Sequence, residues 1–334
     1  MVLAAILVFG VIAVLLFNRK PKDESSQPTP PGGTASRPSH PRPEPATRTL
    51  PPITAILPDR TAAAIVIRPE VLWKRVAYEP GAGRRLGAHA DALATRVRFD
   101  PHKFDRLTIA FVGRESSTVA IGEGAYLTPE WVAGLESTWK AKLDLANGIK
   151  AFRFNPLGPA PHYSMILGTT GYAVANNRKT LEGLSTQADQ LRPPQGVSET
   201  ILSALADVSS PTAPLVTFAA GPTWTLPDET TLDSHGLRSI KGTVTLKDNV
   251  FSYDIVLSGP AKSRLTEFWN EYLGTKLPEQ FPALRSFANA LATVKQSERV
   301  TGTAMELHLT GEIDWTAFHD ALDRVLPVPE NDAK

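Results

Sequence analysis

The chain has 334 residues, 42% of them hydrophobic and 21% charged, enough apolar material to bury a sizeable core. Its 35 basic and 34 acidic side chains leave a formal charge of +1, so no broad basic face that would hold nucleic acid by counterion release is implied. Cysteine is absent, which removes disulfides, thiolate catalysis, Cys-ligated zinc and iron–sulfur clusters while leaving the redox compartment open.

The first seventeen residues, MVLAAILVFGVIAVLLF, carry no charge, and Arg19, Lys20 and Lys22 follow at once. As a helix this run rises roughly 25 Å, slightly short of a ~30 Å hydrocarbon core. Asn18 and the snorkelling stems of Arg19 and Lys20 make up the difference. A buried soluble helix would show a polar stripe, and this run has none. A cleaved signal peptide would show a basic start and a small-residue cleavage site; here the run opens Met1-Val2 and closes Phe17-Asn18-Arg19-Lys20. The expectation is an uncleaved single-pass anchor over 1–18, with the lipid bilayer as its partner. Its direction is contested within the sequence. Arg19, Lys20 and Lys22 send the following chain to the cytoplasm under the positive-inside rule. The long spacer beyond them is of a kind that holds a domain off a cell surface, and so bare an N-terminus suggests a charged start ahead of the recorded one. An extracytoplasmic body is expected.

Residues 19–52 form that spacer. Ten of the 32 residues from Pro21 to Pro52 are proline and large apolar side chains are nearly absent, so the segment is expected to be disordered with polyproline-II character. Pro38-Ser39-His40-Pro41 matches a PxxP docking ligand, but no basic residue stands two places beyond it. A plain tether is the reading.

The body begins near Ile53. AAAIVIRP (62–69) reads as a buried strand, followed by a short helix around Glu70–Val76 and a second over Arg84–Val97. Strands are expected at Leu107–Val112 and Ser117–Ile121, then a helix announced by Thr128-Pro129-Glu130. Further strands fall at Ile149–Phe154, His162–Leu167 and Gly171–Val174, before a polar helix over Arg178–Gln190. Ser198 caps a helix to about Val208, and Pro214–Ala219 is a strand. Ser239–Leu246 and Val250–Leu257 alternate around Lys247-Asp248-Asn249 as a hairpin. Pro260 is expected to open a helix ending near Gly274, followed by a helix over Pro282–Ala292 and a strand over Thr303–Thr310. Asp314 is expected to cap a last helix bearing Trp315, Phe318, Leu322 and Val325.

LESTWKAKL (135–143) and LTEFWNEYL (265–273) share Leu-x3-Trp-x3-Leu at a separation of about 130 residues. At i, i+4 and i+8 each triplet lies along one side of a helix and suits covering a sheet. The separation is too long for a solenoid repeat and fits two related lobes. The expected fold class is therefore α+β: lobes over 53–194 and 195–328, each an antiparallel sheet with helices on one face, and a disordered tail at 329–334.

Candidate chemistry is sparse. Ser137-Thr138-Trp139-Lys140 matches the S-x-x-K of serine acyl-enzymes, yet Ser137 falls opposite the apolar arc of Trp131, Val132, Leu135, Trp139 and Leu143. Lys140 also lies off that arc, and a solvated lysine is a poor base. Lys241-Gly242-Thr243 has the wrong order for the companion K-T-G. His89, His102, His162, His235, His308 and His319 are scattered, with no H-x3-H or H-E-x-x-H spacing. His308 and His319 would lack a third ligand. Gly81-x-Gly83-x3-Gly87 has one residue too many for a dinucleotide turn and follows a helix. Glu267/Glu271 and Glu312/Asp314 read as solvated faces and a cap. No catalytic, cofactor-binding or metal-binding residue is assigned, and no cofactor is expected.

LPDRTAAAIVIRPEVLWKRV, FDPHKFDRLTIAFVG and YAVANNRKTLEGL together resemble uncharacterised membrane-anchored exported proteins of planctomycete-type bacteria, over residues 55–190. The resemblance implies a location outside the cytoplasm; the group carries no assigned activity, so no catalytic or binding residue is transferred from it. The whole points to a membrane-anchored, non-catalytic binding or structural protein of the cell envelope. The alternatives are an envelope hydrolase whose site is assembled from distant residues and a cytoplasm-facing tethered adaptor.

Overall fold

The computed structural model describes residues 56–71, 104–113, 117–124, 142–144, 150–154, 162–167, 171–189, 192–206, 208, 213–226, 229–247, 250–261, 263–276, 294–314 and 316. The anchor, the spacer, the helices expected at 84–97, from Thr128, at 282–292 and beyond Trp315, and the tail lie outside them. Among the described residues no helix is long and apolar enough to cross a membrane.

Twelve strands form one antiparallel sheet among the described residues: β1 Thr61–Ile67, β2 Arg106–Val112, β3 Ser117–Glu123, β4 Lys142–Asp144, β5 Lys150–Phe154, β6 His162–Leu167, β7 Gly171–Ala175, β8 Val216–Ala220, β9 Ser239–Lys247, β10 Val250–Pro260, β11 Lys295–Thr301 and β12 Ala304–Asp314. Their spatial order is β11-β12-β10-β9-β8-β1-β2-β3-β7-β6-β5-β4. With α1 (Arg178–Asp189), α2 (Glu199–Leu205) and α3 (Leu265–Phe268), this is an α+β fold. The expected boundary between lobes, at 194/195, falls in the segment joining α1 to α2, while the sheet itself runs unbroken from one half of the chain to the other.

One rung read across the sheet explains where the helices sit. Ser297, His308, Val256, Lys241, Ala219, Ala64, Ala110, Val119, Ala175 and Tyr163 are successive cross-strand partners. From Ala219 to Ala175 the rung is small and apolar, and helices cover it. Ile201 and Leu205 of α2 pack on Ala64, Val66, Ala110 and Ala219, and Leu181 and Leu184 of α1 on Val119, Ile121, Ala173 and Ala175. Alanine lets a helix approach the sheet closely while its backbone stays paired. From Lys241 outward the rung is polar except at the buried Val256, and among the described residues no helix covers it.

The opposite face is apolar over its second half. Ile240, Val244, Phe251, Tyr253, Ile255, Leu257, Leu307, Leu309 and Ile313 are all buried there. Two glycines make room for rings on it. A Cβ on Gly242 would stand 2.5 Å from the Phe218 ring and 2.7 Å from the carbonyl of Asp254, and a Cβ on Gly311 would strike the Tyr253 phenol. Burial pushes that phenol's pKa up to about 12.

Over this face lie α3 and a π-helix, Trp269–Lys276, which present Leu265, Phe268, Trp269 and Tyr272 to the interior. Thr266 reaches from α3 to the carboxylate of Glu298, which projects on this side of β11. The expectation of helices on one face thus holds for α1 and α2 and not for α3.

The β1–β8 seam has a local symmetry. Its rungs run from Ile67↔Val216 to Ala63↔Ala220 and centre on Ile65↔Phe218. The chain leaves each strand through the same bond: Arg68 donates its N–H to Leu215 O at 2.9 Å, and Gly221 donates to Ala62 O at 2.8 Å. Each N–H belongs to the residue before a proline, Pro69 in one case and Pro222 in the other. The correspondence continues outward. Asp105 N–H donates to Glu123 O and Arg238 N–H to Ser258 O, both at 2.8 Å, just ahead of β2 and β9. In both halves a three-strand meander is followed by strands that return from the outer edge, β7 beside β3 and β12 beside β10.

Two expectations are corrected. The strand runs through Pro260, and the helix starts only at Leu265; Pro260 sits on the last rung, opposite Ala304, where a missing N–H costs little. Leu143 belongs to β4 and not to a helix, while Leu135 and Trp139 lie outside the described residues. Gly242→Ala should overpack the contact with Phe218 and the Asp254 carbonyl. A loss of about 1–3 kcal/mol in urea unfolding is expected, with partial recovery in Gly242→Ala/Phe218→Leu.

Candidate functional site

The strongest buried electrostatic feature stands at the open end of the β2–β3 pair. Arg106 and Glu123 are register partners, and the guanidinium grips the carboxylate in a fork, Nε to Oε2 at 2.7 Å and Nη2 to Oε1 at 2.8 Å. Both side chains are 2% exposed. Burial raises the Glu123 carboxyl above its ordinary range, against the pull of the Arg106 charge. The corresponding rung of the other half holds hydroxyls, Ser239 Oγ and Ser258 Oγ, 2.5 Å apart. A carboxylate whose two oxygens both accept from one guanidinium is committed to that partner. The pair locks strand ends together.

A second cluster ties the entry of the body to the segment between α1 and α2. Asp59 accepts from Arg192 Nη2 at 2.5 Å and from the Gln195 N–H at 2.7 Å. Arg60, held at φ +58°, donates its N–H to Gln195 O and accepts from Gly113 N–H. Gln187 Nε2 donates to Leu57 O at 2.6 Å. Desolvation works to raise the Asp59 pKa, and the bonds from Arg192 and Gln195 with the charges of Arg192 and Arg60 outweigh it, so the carboxyl is held below its usual value.

The three described histidines do not converge. His235 ends a 3-10 turn, Asp233–His235, with Nε2 2.8 Å from Thr230 Oγ1 and its ring 5.2 Å from Phe268 and 5.7 Å from Tyr272. His308 lies on β12 with Nε2 3.2 Å from Glu306. His162 opens β6. His89, His102 and His319, the S-x-x-K residues Ser137 and Lys140, and the glycines at 81, 83 and 87 lie outside the described residues. Among the described residues no group of three or more potential ligands could hold a metal ion. Lys241 and Thr243 lie on β9, with Lys241 exposed. Glu267 is exposed and pairs with Arg264, while Glu312 accepts from Ser252. Trp269 is 5% exposed and belongs to the core.

The sheet itself carries exposed polar side chains toward its β11 end. On the face that α1 and α2 leave bare, Lys241, Thr245, Lys247, Asp254, Thr310 and Glu312 are exposed, with His308 half-buried. Beyond them lies β11, the last strand of the sheet, exposed at all seven residues. This edge is missing from the sequence reading, since KQSERVT carries no hydrophobic alternation. Its only signal is a second polar stretch ahead of a strand, joined to it by Gly302.

No family model matches the chain, and no curated protein matches it. Among solved structures, crystal forms III and IV of TP0453 align at TM-scores of 0.48 each and 13% and 14% identity. The alignments cover 82% and 80% of this chain and 98% and 94% of the other. A likeness of that order assigns neither family nor role.

Two outcomes follow from the buried charges. Arg106→Met leaves Glu123 buried without its partner and should cost about 3–5 kcal/mol in urea unfolding, whereas Arg106→Met/Glu123→Leu should return close to the parent. Asp59 has a lowered folded pKa, so its contribution is present above the unfolded value of about 4 and is lost as pH falls through the folded one. Asp59→Asn should therefore flatten the melting temperature against pH below about pH 4.5 and leave its shape above that value unchanged.

Proposed function

We propose that this chain is a membrane-tethered, non-catalytic binding protein of the cell envelope, with its body outside the cytoplasm. The observation that carries the reading is the uncharged run Met1–Phe17, followed by a spacer of 32 residues with ten prolines. A greasy helix stays in lipid, and a chain that cannot collapse on itself separates the body from the bilayer. The resemblance to exported proteins of planctomycete-type bacteria favours the same side.

The body suits presentation of a surface. Its strongest buried polar groups, Arg106 with Glu123 and Ser239 with Ser258, are matched to each other. Its sheet leaves exposed polar groups on one face, at Lys241, Asp254 and Thr310, and along the edge at β11.

In this reading the body is two related lobes, 53–194 and 195–328, joined edge to edge through β1 and β8. The paired exits at Arg68 and Gly221, and the matching bonds at Asp105 and Arg238, support a duplication whose copies meet about a local two-fold.

The charge at Arg19, Lys20 and Lys22 favours a second reading, a cytoplasm-facing adaptor. Protease added to intact spheroplasts separates the two. Degradation of the body, with a fragment bearing the first residues retained in carbonate-washed membranes, is the expected outcome. Protection of the body until lysis would establish the adaptor, and release of the whole chain by carbonate would remove the anchor.

A further inference from the structure

We propose that the free edge of β11 docks an extended acidic segment of a partner protein, which adds a thirteenth strand to the sheet. This rests on the reading of the body as a binding module and names the partner's chemistry.

The strand is seven residues long and among the described residues pairs only with β12, which leaves its outer N–H and C=O groups unmatched by them. Side chains alternate across it. Lys295, Ser297, Arg299 and Thr301 point to the bare polar face, and Gln296, Glu298 and Val300 to the side of α3.

The charges on this edge are not equivalent. Glu298 is taken by Thr266, and Glu306, the neighbour of Arg299 across the ladder, is 3.2 Å from His308. Lys295 and Arg299 make no ion pair or hydrogen bond among the described residues, and both are exposed. Val300 is 61% exposed, the one large hydrophobic side chain left in water among the described residues.

A second copy of the chain is a poor occupant. Bonded and non-bonded rungs alternate in an antiparallel ladder, so a two-fold must pass through a residue facing itself. Each of the three registers that overlap most of the strand then sets like charges opposite one another. Centring on Ser297 places Lys295 against Arg299; centring on Glu298 or Arg299 places that residue against itself. Like charges directly opposite are unfavourable. The same lysine and arginine that discourage self-pairing are left to attract a strand with carboxylates four positions apart on one side. An apolar residue on its other side would lie against Val300. Main-chain bonds supply the adhesion and the alternating side chains the choice.

The test uses the full chain in nanodiscs of neutral lipid and a fluorescein-labelled peptide, Thr-Val-Glu-Thr-Thr-Thr-Glu, capped at both ends. A second peptide has lysine in place of both glutamates. The glutamate peptide should bind saturably, slow hydrogen exchange at residues 295–301 and weaken as salt rises. Lys295→Glu/Arg299→Glu alters two exposed, unpaired side chains and should leave the circular dichroism unchanged. It should weaken the glutamate peptide by about tenfold and transfer the preference to the lysine peptide.

Absence of saturable binding at millimolar peptide, binding without protection of 295–301, or an unchanged preference in the double variant would overturn the proposal. Protection of 295–301 that rises with protein concentration alone would overturn it in favour of a second copy. None of these results bears on the tether, which the spheroplast assay decides separately.

Discussion

The structure depends on β1 and β8 being buried on both faces while they pair with each other. Every residue of β1 is buried, and so is every residue of β8. A strand covered on both sides needs apolar side chains in both directions, which is why TAAAIVI reads as a continuous run and not as an alternation. Size is divided between the faces. Ala64 and Ala219 accept α2 at close range, whereas Ile65 and Phe218 fill the other side. Full burial of a side chain such as Ile65 contributes about 1.5–3 kcal/mol. Loss of this seam would leave two smaller sheets, each with an exposed apolar edge.

Buried polarity is placed at the ends of strands, away from the seam. Arg106 and Glu123 terminate a pair of strands that carries no other charge, and Asp59 with Arg192 fastens the segment entering β1. Charge removed from water is costly unless its geometry is close to ideal, and the fork between Arg106 and Glu123 supplies that geometry. Burial pushes the Glu123 carboxyl up against the pull of Arg106. The fork also fixes register. A one-residue slip of β3 against β2 would place Glu123 on the opposite face and leave Arg106 facing glycine, Gly122 or Gly124.

Much of this was legible because it follows from period. The β9–β10 hairpin alternates for nearly its whole length, β1 is a bare apolar run, and Ser198 caps α2 by accepting from Ile201 N–H. What escaped lacked a period. Lys295–Thr301 is polar on both sides because neither face is covered, and β4 is three residues long. Proline at 260 looked like a helix start because the last rung of a strand tolerates it equally well. The Arg106–Glu123 pair had a usable signal: opposite charges close the two outer ends of apolar runs on either side of one turn, as a hairpin register requires.

The two halves share a backbone plan and differ in which described helices cover it, and that difference decides which side chains stay in water. Glu123 and Ser258 occupy corresponding rungs, as do Arg106 and Ser239. Further along the same face, Val119 and Ile121 lie under α1, while Asp254 is exposed on the strand that corresponds. Packing a helix there would demand apolar residues, and Lys241, Asp254 and Thr310 are instead compatible with water. Had both halves been selected for packing alone, the corresponding rungs would carry similar side chains. Exposed polar side chains at Lys241, Asp254 and Thr310 mark the part of this face that no described helix covers, and they lead outward, strand by strand, to the edge at β11.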